Sequence, residues 1–166
     1  MTETGMAAME DDALRRSPSF EDAETRRALT MQAEDYVARS QLMLTRARAL
    51  VTAGRSDCID LLNGRRAALC AHLQRYQRFK HGSIFDPVVR FGRPSSKVVA
   101  RTMKVDCLIL GETFAAYHTR WLRLCAPEWQ HYREDMLSTA TILSTQLDSE
   151  LWAMRQLIMI SDFYGG

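Results

Sequence analysis

The chain has 166 residues, with only eight glycines and four prolines, a length that suits one domain and buries a core without staples. Its formal net charge of +2 specifies no partner by itself. No apolar run reaches the ~20 residues that a membrane-spanning helix needs.

The placement of charge is more informative than its total. Residues 1–25 carry seven acids against Arg15 and Arg16. Residues 64–104 hold ten cations and one acid, Asp86. An acidic segment and a basic central hairpin can attract each other, or the hairpin can receive an anionic partner. Cys58, Cys70, Cys107 and Cys125 form no CxxC pair and no zinc spacing. The acidic N-terminus lacks the apolar segment of a signal peptide. These features predict a cytoplasmic protein whose thiols are reduced and pack as small hydrophobes.

Residues 1–20, rich in Met, Ala and acids and ending in RRSPSF, read as an acidic flexible tail. A helical bundle is expected over 21–163. The first helix should run from about Glu21 to Val51, with Leu29, Ala33, Tyr36, Val37, Ser40, Leu44, Ala47 and Val51 on one stripe. Gly54 stops it. Ser56 caps a second helix bearing Ile59, Leu62, Leu69, Leu73, Tyr76 and Phe79. Gly82 marks a break, and Asp86-Pro87 reads as an N-cap and first helical residue of a short extra turn. Gly92 and Pro94 end that turn. Ser95 or Ser96 opens the third helix, whose stripe reads Val99, Met103, Asp106, Leu110, Phe114, Tyr117 and Trp121. Cys125-Ala126 ends it. The fourth helix carries Trp129, Tyr132, Met136, Ala140, Leu143, Leu147, Met154, Leu157 and Ile158, with Glu150 on or beside the stripe. Four helices of ~25–35 residues on short turns imply an all-α, up-down-up-down four-helix bundle, each helix roughly 40–50 Å long.

Register on this scheme brings polar residues together. A turn centred near Arg93 sets Lys80 opposite Asp106, and one near Ala126 sets Asp106 level with Gln146. Lys80, Asp106, Gln146 and Glu150 are therefore expected to form an interior polar layer, with a Lys80–Asp106 ion pair satisfying the cost of burying charge. The opposite face of the hairpin predicts a partner-binding surface of Arg75, Arg78, Arg90, Arg93, Lys97 and Arg101.

Catalytic signals are weak. There is no Gly-rich phosphate loop, no GxSxG and no HExxH. A Cys–His pair of Cys107 with His72 or His81 is conceivable, with Cys107 beside the basic face and its pKa lowered, but a helix-packed thiol is the commoner case. Glu128-Trp-Gln-His131 is a single Glu-x-x-His match without a second to complete a metal site. Nucleic acid is disfavoured, since the basic hairpin lacks any recognition motif.

The segments RAALCAHLQRYQRFKHGSIFDP, MKVDCLILGETFAAYHTRW and WQHYREDMLSTATILSTQLDSEL resemble a divergent branch of hemerythrin-like (HHE-type) bundle proteins from bacteria. The resemblance spans about residues 25–160 and implies a bundle built to hold two irons with histidines and carboxylates. This sequence departs from that pattern. Tyr76 and Lys80 stand where the second helix should offer His and Glu. Thr102 and Asp106 stand near the two histidines of the third helix, and Gln146 near that of the fourth. The expectation is a non-enzymatic, metal-free regulatory bundle that binds an anionic protein through its basic face, with no cofactor. The alternative is an oxygen- or redox-responsive bundle holding non-haem iron through His72, His81, Asp106, Glu112 and Glu150.

Overall fold

A computed structural model describes residues 23–54 and 56–160. The tail expected at 1–20 and the expected end of the bundle beyond Ile160 lie outside these residues. The described chain is helical throughout, with no strand among the described residues. Helix α1 is Ala23–Thr52, α2 is Ile59–Phe79, α3 is Asp86–Phe91, α4 is Pro94–Arg120 and α5 is Trp129–Ile160. Four of these are long. α3 is the short continuation of α2.

The long helices bury residues that alternate four and three apart. On α1 these are Ala33, Val37, Ser40, Leu44 and Val51, with Ala47 half-buried. On α4 they are Ser96, Ala100, Met103, Cys107, Phe114, Tyr117 and Trp121, with Leu110 half-buried. This heptad spacing keeps one seam per helix turned to its neighbours, as in knobs-into-holes packing. α1 lies against α5 and α2, and α4 lies against α2 and α5. Small residues on the seams, Ala33, Ser40, Ala100 and Ala140, are all nearly inaccessible. They leave room for Tyr76, Tyr132, Phe85 and Leu147, which are among the largest fully buried side chains.

The helix boundaries follow from local chemistry. Gly54 at φ 70° closes α1 with its amide on the Val51 carbonyl. That left-handed conformation favours glycine at a helix end. The break expected at Gly82 does not occur, and Asp86 is not an N-cap. Instead the helix widens over Lys80–Phe85 into a π turn, with the Asp86 amide donating to the His81 carbonyl five residues back. Asp86 itself is helical, at φ −63° and ψ −43°. In an α-helix, Pro87 would lack its donor and press its ring on the preceding turn. The widened turn just before it carries the helix past the proline into α3.

Gly92 and Arg93 are extended and turn the chain into α4, which starts at Pro94 rather than at Ser95 or Ser96. α4 stops at Arg120, five residues before the expected Cys125-Ala126. Trp121 leaves helical geometry there, with its indole Nε1 donating to Asp135 at 2.7 Å. Cys125 then caps the short turn Ala126–Glu128 through the Glu128 carboxylate.

Candidate functional site

The inward row of α2 reads Leu62, Arg66, Leu69, Leu73, Tyr76, Lys80, alternating four and three residues. The inward row of α5 reads Met136, Ala140, Leu143, Leu147, Glu150, Met154, Leu157. Arg66, Lys80 and Glu150 therefore occupy seam positions that apolar residues hold elsewhere. Arg66 and Lys80 are 14 residues apart, about 21 Å along the helix, so the interior carries a cation at two heights.

Lys80 meets Glu150 across the interior at 2.5 Å, with side-chain exposures of 5% and 12%. Its ammonium also lies over the Tyr76 ring, 4.3 Å from the centroid. The ring face and the carboxylate together replace the water that burial removes. Around this pair, Tyr36 stacks on Tyr76 and Phe79 at 5.1 and 5.3 Å. The Tyr76 hydroxyl is buried and unpartnered. Burial, then the Glu150 charge, then Cys107 push its pKa up, so it remains a phenol with a proton to donate. Cys107 completes the layer. Burial raises its thiol pKa despite the nearby Lys80 ammonium, which pulls the other way. The expected activation of Cys107 by neighbouring basic charge is therefore reversed, and its thiol is a packed group.

Two members of the expected polar layer are misplaced. Asp106 is exposed, and Cys107, one step further round α4, takes the seam. Gln146 is exposed as well. Arg120 and Trp121 both meet Asp135, at 2.6 and 2.7 Å. The connection thus centres about two residues beyond Ala126, which moves the residue at the level of Lys80 by four, from Gln146 to Glu150. The Lys80–Asp106 pair is accordingly replaced by Lys80–Glu150. The positions on α4 and α5 that the hemerythrin-like resemblance matched to metal ligands, Thr102, Asp106 and Gln146, all lie on the surface.

The alternative iron set is not brought together. His72 is buried, with Nε2 3.1 Å from the Tyr36 carbonyl. His81 packs edge-on against Phe85. Asp106 and Glu112 are exposed, and Glu150 is held by Lys80. Among the described residues no group of three His, Cys, Asp or Glu is placed to hold a metal ion.

The predicted basic face is on the surface. Arg75, Arg78, Arg90, Arg93 and Arg101 are exposed and Lys97 is half-buried. Asp86, the one acid of the hairpin, is taken by Lys104 at 2.5 Å. Among the described residues none of those six cations has a carboxylate partner. Phe91 and Val98, 39% and 61% exposed, sit among them in the sequence at the α3–α4 turn.

Sequence reasoning missed Arg66. Its guanidinium donates to Asn63 Oδ1 at 2.5 Å and to the Trp121 carbonyl, and lies 5.6 Å from the Tyr132 ring centroid. The 62-66-69-73-76-80 phase, with its regular four-three alternation, would have found it.

Two histidines give the fold a pH dependence. The His81 pKa is lowered by burial first and then by Lys104, against a raising effect of Asp86, with Lys80 lowering it further. The His118 pKa is lowered by burial and by Arg66. Above the ordinary value of 6.5 both rings are neutral, folded or unfolded, and their contribution is complete. As pH falls below it, the unfolded chain takes up protons that the fold refuses, and stability declines until the folded pKa values are passed. Urea midpoints measured from about pH 7.5 to about pH 5 should fall, and His81→Gln with His118→Gln should flatten that fall. An equal fall in the double variant would assign it to other groups.

No family model, curated protein or solved structure matches this chain.

Proposed function

We propose that this chain is a non-enzymatic interaction module that docks an acidic protein segment on the basic end of its central hairpin. This reading takes the helices as an up-down-up-down bundle, which the pairings of Lys104 with Asp86 and of Arg120 with Asp135 across successive turns support. The observation that carries it is the uncompensated charge of Arg90, Arg93, Lys97 and Arg101 beside the exposed Phe91 and Val98. Partners with carboxylates are steered to such a surface, and apolar groups at its centre hold them once water is excluded. A cytoplasmic partner and a regulatory role are parts of the same reading.

The test is fluorescence anisotropy of a labelled poly-glutamate peptide against the full chain. Arg93→Glu with Arg101→Glu should weaken binding by at least about tenfold with an unchanged far-ultraviolet circular dichroism spectrum. Phe91→Ala should weaken it less and without changing its salt dependence. Unchanged affinity in the charge-reversed variant would end the proposal. Tighter binding to a DNA duplex at equal salt would replace the acidic protein with nucleic acid.

A further inference from the structure

A cleft of about 160 Å³ opens between α2 and α4 beside the Lys80–Glu150 pair. Tyr76, Gln77 and Lys80 line it from α2, and Cys107 and Gly111 from α4. Leu147 of α5 closes it from beneath. Most of its wall is apolar. One polar group is out of place: the Tyr76 hydroxyl, on a residue only 1% exposed, has no hydrogen-bond partner. A buried phenol without an acceptor is costly and is retained where something else supplies the acceptor.

Gly111 keeps the cleft open. A Cβ there would come within 3.1 Å of Gln77 Oε1, so any side chain at 111 would crowd the mouth. Glycine in a helix interior is otherwise unfavourable. The π turn begins at Lys80, and such turns gather at functional sites because they re-aim side chains within a continuous helix.

We propose that this cleft binds a compact, uncharged, largely apolar ligand bearing one hydrogen-bond acceptor, of the class of small aromatic ketones. The size follows from the volume, since a cavity of about 150 Å³ lined by apolar side chains takes up benzene. The acceptor follows from the Tyr76 proton. Neutrality follows from the ion pair, because Glu150 already holds the Lys80 ammonium at 2.5 Å. An anionic ligand would have to displace Glu150, and a cation would face Lys80. The site is separate from the basic hairpin surface, and its test does not depend on that reading.

Acetophenone and ethylbenzene are matched probes, differing in the carbonyl. Titrated into the full chain and followed by protein NMR, acetophenone should bind at least about tenfold more tightly, the worth of one buried hydrogen bond. In Tyr76→Phe the two should bind alike, and the ligand-free variant should melt no lower than the wild type, since an unpartnered hydroxyl has been removed. Gly111→Leu, which favours the helix and fills the mouth, should abolish binding of both. Equal affinities in the wild type would overturn the proposal. So would discrimination that survives Tyr76→Phe, or no binding of either probe to the wild type.

Discussion

Replacing Glu150 with alanine should cost about 3–5 kcal/mol of folding stability, because it strands a buried ammonium. The reason lies in the seam. Lys80 is 5% exposed, and its position on the inward row of α2 leaves it no route to solvent without unwinding the turn that begins there. With Glu150 gone, the Tyr76 ring at 4.3 Å is its remaining stabilising contact. A ring face offsets only part of the desolvation of a cation. Lys80→Met should cost less, since Glu150 is 12% exposed and can turn its carboxylate toward water. Lys80→Met with Glu150→Leu should recover most of the loss and can exceed the wild type, as apolar replacements of buried pairs do. Urea denaturation of the four proteins measures the cycle. A Glu150→Ala cost within about 0.5 kcal/mol of zero, the size of an ordinary surface substitution, would show that the pair contributes no buried interaction.

The positions of the long helices were legible in the sequence because each carries an uninterrupted stripe bounded by Gly54, by Gly92-Pro94 or by Pro127. The interior of α4 was harder to read. Counting from Val99 gave a stripe through Asp106, whereas the true seam runs Ser96, Ala100, Met103, Cys107. Its small residues score poorly for hydrophobicity, and the larger Val98, Val99, Val105 and Ile109 on other faces are exposed. Stepping back from Trp121, Tyr117 and Phe114 in strict sevens would have reached Cys107. The level of the polar layer was nearly right for the same reason that its members were wrong. A helix turns 100° per residue, so an error of one residue exchanges Asp106 for Cys107. An error of two residues in a turn's centre exchanges Gln146 for Glu150. The widened turn at Lys80–Phe85 was invisible as such, because Gly82 and Pro87 are equally the marks of a break. Only the packing of Ile84, Phe85 and Val88, all buried, shows that the helix is held together through them.

Arg66 provides the second large effect, and its direction depends on what replaces it. The guanidinium joins three elements: Asn63 on its own helix, the carbonyl of Trp121 just past the end of α4, and the Tyr132 ring near the start of α5. A cation is favourable at that carbonyl, because the C-terminus of a helix carries partial negative charge and unpaired acceptors. Two further donors, Nε and Nη1, are buried without partners, which sets an opposing cost. Arg66→Ala removes the contacts and enlarges a cavity of about 30 Å³ beside Leu62 and Tyr132, so a loss of about 3 kcal/mol is expected. Arg66→Met keeps the packing of the stem and removes the two orphaned donors, and should cost about 1 kcal/mol or less. Both variants should raise the His118 pKa, which Arg66 holds down, and proton NMR of the His118 ring reads that change separately from stability. Hydrogen exchange at the last turn of α4 should quicken in both, since each leaves the Trp121 carbonyl without its donor. A methionine variant as unstable as the alanine one would show that the charge, rather than the filled space, holds this end of the helices together.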